Sequence, residues 1–298
     1  MSTGKLTVAV LGPGGVGGLI GALLARAGHR VVCLAGEQTV AVLRQDGLRV
    51  DSDQYGEFTT AVEADTELRE PVDAVFVTVK QTMLAEALDR IPVDMVGAGT
   101  VVVPLLNGLD HIAVLRGRLP SARVVAGTIR VEATRVAPGR VTHTSPFANL
   151  ELAAPVEDFA EILRQTGLGV ILREDEGAML WDKLAFLAPF ALLTTRHQAD
   201  VGAVRDRHRA ELLTVLNEVA AVARAAGTSV SAEGLLSFFD RVPGTMKSSM
   251  QRDAEAGRPL ELDAIGGAVL RAGVAHGIAT PATARLLAEV AEAERRVA

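Results

Sequence analysis

The chain has 298 residues, enough for two domains of ordinary size. It is 49% hydrophobic but only 3% aromatic, so the core is expected to be built from Ala, Val and Leu. A formal charge of −6 without a basic block argues against a nucleic-acid partner, and a single cysteine, Cys33, excludes an intrachain disulfide and a cysteine zinc cluster.

The first residues are not expected to form a secretory signal, because one lysine is followed by an apolar stretch that breaks quickly into glycines. Residues 6–11 are a β-branched and apolar run that reads as a buried strand. A Gly-, Ala- and Leu-rich helix is expected over residues 14–27, closed by Gly28. A second strand covers residues 31–34, with Cys33 as a core residue, and a helix follows over 39–45. Strands at 74–78 and 100–104 flank a helix at 82–90. Strands alternating with helices imply a parallel sheet with right-handed crossovers.

Beyond residue 124 the pattern changes. Residues 124–128, the stretch around 132–144, and residues 150–153 read as strands, with Pro138-Gly139 as a turn. A helix at 155–166 and a strand at 170–173 follow, and from Gly177 only helical patterns remain, among them 209–226 and 281–297. The expected architecture is α/β: an N-terminal Rossmann-type parallel-sheet domain, residues 1–174, followed by an all-helical domain, residues 175–298. The longest apolar run, 184–193, is shorter than the ~18 residues of a membrane span. No membrane partner is expected, and a cytoplasmic location is. The helical stretch 264–274 can pack within the chain or against a second copy, which leaves a homodimer open.

Gly12-Pro13-Gly14-Gly15-Val16-Gly17 fits G-x-G-x-x-G between a strand and a helix, the context that gives this motif its meaning. Gly12 permits the tight turn, Gly14 lets the backbone approach a pyrophosphate, and Gly17 lets helix and strand pack closely. Free N–H groups at the helix start, from Gly15 and Val16 onward, then receive the anion. Glu37, just past the second strand, suits a ribose 2′-hydroxyl; equally, it suits the start of a helix. Arg44, a little further on, is the alternative that could swing toward a 2′-phosphate. No metal site is expected.

Further local patterns are Thr78-Val79-Lys80, Pro104-Leu105-Leu106-Asn107-Gly108, Trp181-x-Lys183-Leu184, Ser248-Ser249-Met250 and Gly257-Arg258-Pro259-Leu260-Glu261. With Gly47-Leu48-Arg49-Val50, Val136 to Val141 and His276 to Pro281, this ordered set resembles the ketopantoate reductase (2-dehydropantoate 2-reductase) family from Val8 to about Ala288. The resemblance implies an NAD(P)H-dependent oxidoreductase that reduces a small 2-keto acid, with a place in pantothenate biosynthesis. It implies Lys183 as the catalytic lysine, since an ammonium in apolar surroundings gives up its proton more readily and stabilises a forming alkoxide. Glu261 becomes its partner and a substrate contact, Ser249 a ligand of the substrate carboxylate, Asn107 a residue near nicotinamide and substrate, and Lys80 a cofactor contact.

The sequence also departs from the family pattern. Leu187 and Ala191 stand where the family has asparagines one and two turns after the lysine, Val201 stands at a third, and Gln198 is a nearby amide. A less polar 2-keto acid than ketopantoate is one consequence. Gly36 replaces the arginine for the 2′-phosphate, so NADP(H) is the family's cofactor and NAD(H) the alternative through Glu37. Rival readings are a reductase or dehydrogenase of another carbonyl metabolite, and a non-catalytic dinucleotide-binding sensor.

Overall fold

The structure, a computed structural model, describes residues 4–153 and 155–297. The chain divides into two compact units, Met1–Leu106 with His111–Glu176, and Asn107–Asp110 with Gly177–Ala298.

The first unit begins with β1 (Thr7–Leu11), α1 (Gly15–Arg26), β2 (Arg30–Leu34), α2 (Glu37–Asp46), β3 (Leu48–Ser52), β4 (Phe58–Thr60) and β5 (Glu63–Asp65). It continues with β6 (Ala74–Val77), a 3-10 turn (Gln81–Met83), α3 (Leu84–Leu88), β7 (Val101–Pro104), α4 (His111–Arg118), β8 (Arg123–Val124) and β9 (Gly127–Arg130). β10 (Ala133–Ala137), β11 (Arg140–His143), β12 (Asn149–Ala153), α5 (Glu157–Gln165) and β13 (Gly169–Arg173) complete it.

Six strands pair in the order β5-β2-β1-β6-β7-β8, every pair parallel. The order reverses at β1, so the switch point between β1 and β6 lies beside the glycine turn, where doubly wound sheets bind ligands. Ala9, Leu11, Val75, Val77 and Val102 pack from these strands into one buried cluster. Cys33 is fully buried in β2, and burial pushes its thiol up to about 12. A second sheet, β10-β11-β3-β4, lies against α1. A Cβ on Gly15 would stand 2.1 Å from the Ala133 carbonyl oxygen, and one on Gly18 2.6 Å from Val141. The small residues of α1 therefore set how closely that sheet approaches. A third sheet runs β13-β12-β9.

The second unit contains only helices among its described residues: α6 (Glu176–His197, starting at the boundary), α7 (Val201–Arg207), α8 (Arg209–Ala225), α9 (Ala232–Arg241) and α10 (Ser249–Glu255). A π-helical turn (Asp263–Gly267), α11 (Ala268–His276) and α12 (Pro281–Val297) follow. Its core joins Leu184, Ala188 and Leu192 of α6 to Leu212, Leu216 and Val219 of α8 and Leu286 of α12.

Several expectations change. The strand expected over 124–128 is two, because the chain leaves the parallel sheet after Val124 and enters the third sheet at Gly127. The helix expected over 82–90 is a 3-10 turn followed by the short α3. β3, β4 and β5 were not expected, although β3 alternates buried and exposed residues throughout. The view that no segment is long enough for a membrane span is also corrected: α6 has 22 residues and a mean hydropathy of 1.3 in its most apolar window. Of that window 67% is buried within the protein, as befits a core helix.

Candidate functional site

In the first unit, β1 delivers the chain into the glycine turn. Gly12 takes φ +85°, the left-handed region, and its N–H donates to the Leu34 carbonyl at 3.1 Å. Gly14 donates to the Gly12 carbonyl at 2.7 Å and precedes α1, whose first internal bond runs from Gly18 N–H to Gly14 at 2.9 Å. Gly15, Val16 and Gly17 therefore have no acceptor inside the helix. A Cβ on Gly14 would meet only the Gly12 carbonyl oxygen, at 3.9 Å, so the turn keeps open space there. Gly17 is the opposite case: a Cβ would stand 2.2 Å from Thr78 Oγ1 and 2.5 Å from the Gly12 carbonyl oxygen. An open cradle, unsatisfied N–H groups and a helix N-terminus suit a dinucleotide pyrophosphate.

Thr78, which sequence reasoning did not assign to the site, holds this turn. Its hydroxyl lies 3.0 Å from the Leu11 carbonyl oxygen and 2.8 Å from that of Gly12, and donates into this pair. The signal was present in the sequence as a hydroxyl residue at the end of the strand beside the switch point. Lys80, two residues on, is half-buried and precedes the 3-10 turn.

Glu37 is exposed as the first residue of α2, after Gly36. Arg44 is exposed, with its Nε donating to the Ala64 carbonyl at 2.8 Å and Asp65 3.7 Å from its Nη2. Arg90, also passed over in the sequence, donates to the carbonyls of Ala35 at 3.0 Å and Thr66 at 2.8 Å, and so pins the residues leading into Glu37.

In the second unit, Asn107 Nδ2 donates to Glu261 Oε2 at 3.0 Å. The short segment carrying Asn107 is seated on the π-helical turn that follows Glu261. Gly108 has φ +88°, and a Cβ there would lie 2.2 Å from the Ala264 carbonyl oxygen. Arg271 of α11 bridges Asp110 and Asp263, each at 2.6 Å. Single π-turns within helices are frequent at functional sites.

Lys183 is half-buried on α6, with Leu187 one turn on and also half-buried, and Ala191 fully buried a turn further. Four of the eight phenylalanines collect on this part of the unit. Phe186 stacks on Phe190 at 5.2 Å and meets Phe238 and Phe239 of α9 at 4.8 Å each. The neighbourhood of Lys183 along α6 is thus apolar and aromatic. Ser249 is exposed as the first residue of α10. The cap of that helix is Ser248, whose buried hydroxyl accepts from Gln251 N–H at 3.0 Å and pairs with Thr194 Oγ1 at 2.9 Å. Capping therefore does not occupy Ser249. Val201 is fully buried at the start of α7 and offers no amide, while Gln198 takes φ +47° in the C-terminal turn after α6.

The expectation of no metal site meets one exception among the described residues: His197, His208 and Glu211 bring three ligand-type side chains together in the second unit. Their spacing matches no familiar ligand motif, so the sequence did not disclose them.

The description "Ketopantoate reductase PanE/ApbA" matches residues 8–155, and "Ketopantoate reductase PanE/ApbA C terminal" matches residues 177–294. A 2-dehydropantoate 2-reductase of Caulobacter vibrioides is 32% identical over 290 residues, 95% of this chain and 97% of that protein. Its counterpart from Mycobacterium tuberculosis is 31% identical over 293 residues, 94% of each. The crystal structure of a PanE/ApbA family ketopantoate reductase from Ralstonia eutropha JMP134 has a TM-score of 0.89 at 28% identity, covering 98% of this chain and 99% of that one.

Proposed function

The chain belongs to the ketopantoate reductase family, and from that premise we propose that it reduces a small 2-keto acid, ketopantoate or a less polar analogue, to the 2-hydroxy acid with a nicotinamide dinucleotide. The observation that carries the reading is the Asn107–Glu261 hydrogen bond. Two residues 154 positions apart, both assigned to one site by the resemblance, meet in the helical unit.

The turn from Gly12 to Gly17 holds the pyrophosphate on the α1 N-terminus, and Lys80 reaches the cofactor from the end of β6. When bound, the reduced nicotinamide supplies a hydride to the keto carbon. Lys183 gives its proton to the carbonyl oxygen as negative charge builds there, and so leaves a hydroxyl. Glu261 faces the substrate and supports the ammonium, while Asn107 holds the carboxylate in place through its amide. Ser249, its hydroxyl not needed for capping, receives the substrate carboxylate. Leu187 and the phenylalanine cluster favour an apolar substrate side chain.

The resemblance implies NADP(H) as the family's cofactor. Here Gly36 stands at the arginine position, Arg44 is tied to β5, and a carboxylate, Glu37, opens α2. A carboxylate accepts from a 2′-hydroxyl and repels a 2′-phosphate, so the chain is expected to accept NADH at least as well as NADPH.

The test is an absorbance assay with ketopantoate and with 2-keto-3-methylbutanoate, each with NADPH and with NADH, on the wild type and on Lys183→Ala. Removing a general acid costs on the order of 10²–10⁴ in turnover, with cofactor affinity kept. Unchanged turnover in Lys183→Ala on the best substrate would sink the assignment, and tight cofactor binding without turnover on any keto acid would favour a sensor.

A further inference from the structure

His197 is the last residue of α6, His208 caps the start of α8, and Glu211 lies in the first turn of α8. Their ligand atoms all lie within 4.8 Å of one another. His197 Nε2 is 2.7 Å from Glu211 Oε2. The His197 and His208 rings stack face to face at 3.5 Å between centroids, tilted by 14°. The side chains of His197 and Glu211 are 17% and 21% exposed, and all three residues are half-buried. None of the three belongs to the machinery assigned to the keto-acid reaction.

We propose that His197, His208 and Glu211 form a binding site for one divalent transition-metal ion of the zinc class, with water as the fourth ligand. Two imidazoles and one carboxylate are the donor set such ions select, and hard cations prefer all-oxygen sites. Glu211 is already oriented as a ligand, because Arg285 of α12 donates to its Oε1 at 2.8 Å and leaves Oε2 turned to His197. This is the outer-shell support that holds ligating carboxylates. His208 is held by its own backbone, donating to the Val204 carbonyl at 3.0 Å and accepting from Leu212 at 2.9 Å.

The rearrangement required is small. Two donors each about 2.1 Å from a tetrahedral ion stand ~3.4 Å apart. The His197–Glu211 pair therefore opens by ~0.7 Å as the ion replaces the proton between them. The stacked rings must splay, since an ion in the plane of one lies outside the plane of its parallel neighbour. Both movements are side-chain rotations at helix ends. The ion would tie the end of the helix bearing Lys183 to α8 and, through Arg285, to α12.

The test is calorimetric titration of chelator-treated full-length protein with Zn²⁺, on wild type, His208→Asn, Glu211→Gln and Arg285→Gln, with thermal melts at each endpoint. The expected result is one equivalent per chain, affinity lowered at least 100-fold in His208→Asn and Glu211→Gln, and about 10-fold in Arg285→Gln. Zn²⁺ should raise the melting temperature of the wild type and leave that of Glu211→Gln unchanged. No binding to the wild type, or equal binding to variants whose circular dichroism is native, would overturn the site. Neither result depends on turnover, so the keto-acid reading stands or falls separately.

Discussion

The Thr78 hydroxyl lies 2.8 Å from the Gly12 carbonyl oxygen, and the same hydroxyl would be the first atom struck by a side chain at Gly17. Turn, strand end and helix start are thus one packed unit. Gly17→Ala is expected to cost about 1–3 kcal/mol, the usual penalty for overpacking a tight contact. Gly14→Ala, facing open space, should leave stability within ~0.5 kcal/mol of wild type and weaken nucleotide binding by an order of magnitude or more. Urea melts and nucleotide fluorescence titrations on both variants check this, and equal stability loss in the two would refute it.

Asn107 and Glu261 offer a double-mutant cycle. A hydrogen bond to a charged group contributes about 1.5–3 kcal/mol, and partial exposure here argues for the lower end. Asn107→Ala and Glu261→Gln should therefore be non-additive by about 1.5 kcal/mol in kcat/KM. Additive losses would mean that the two act on the substrate separately.

Leu187 stands one turn after Lys183, where an asparagine would hydrogen-bond a polar substrate. Leu187→Asn is expected to raise kcat/KM for ketopantoate over 2-keto-3-methylbutanoate by about 2- to 10-fold, the worth of one net hydrogen bond. Because Leu187 is only half-buried, the change should be tolerated, whereas an asparagine at fully buried Ala191 would strain the core. An unchanged ratio would place Leu187 away from the substrate side chain.

His29 Nδ1 accepts the Leu6 N–H at 3.2 Å, which requires an unprotonated nitrogen. Burial, and secondarily Lys5, lower its pKa below 6.5. The folded state therefore binds fewer protons than the unfolded chain, and the stability present above pH 6.5 is lost as pH falls through the folded value. Urea midpoints at pH 7.5 and 5.5 should diverge more for wild type than for His29→Gln. His208 adds a second contribution of the same sign.

The parallel sheet was legible because its central strands are buried on both faces and read as unbroken apolar runs, as Val8 to Leu11 and Ala74 to Val77 do. Helix α12 was legible from end to end, with Pro281 at its first position. β4 and β5, at three residues each, are too short for any periodicity to register, and their pairing depends on distant partners. The glycine turn carried its meaning locally. Lys183, Glu261 and Asn107 did not: nothing near each of them separates a site residue from an ordinary polar one, and the resemblance drew them out. Thr78 and Arg90 act on backbone carbonyls; Thr78 left only a hydroxyl at a strand end as its sign, and Arg90 left none in the sequence spacing.

The chain passes from the sheet-bearing unit to the helical one after Leu106, returns after Asp110, and crosses again after Glu176. The two halves are therefore not exchangeable cassettes. A fragment beginning at Gly177 would keep every helix but lack the four-residue splint that gives Arg271 its Asp110 partner and Glu261 its Asn107. Grafting this helical half onto another dinucleotide-binding domain would succeed only if the loop after the host's fifth sheet strand carried that splint with it.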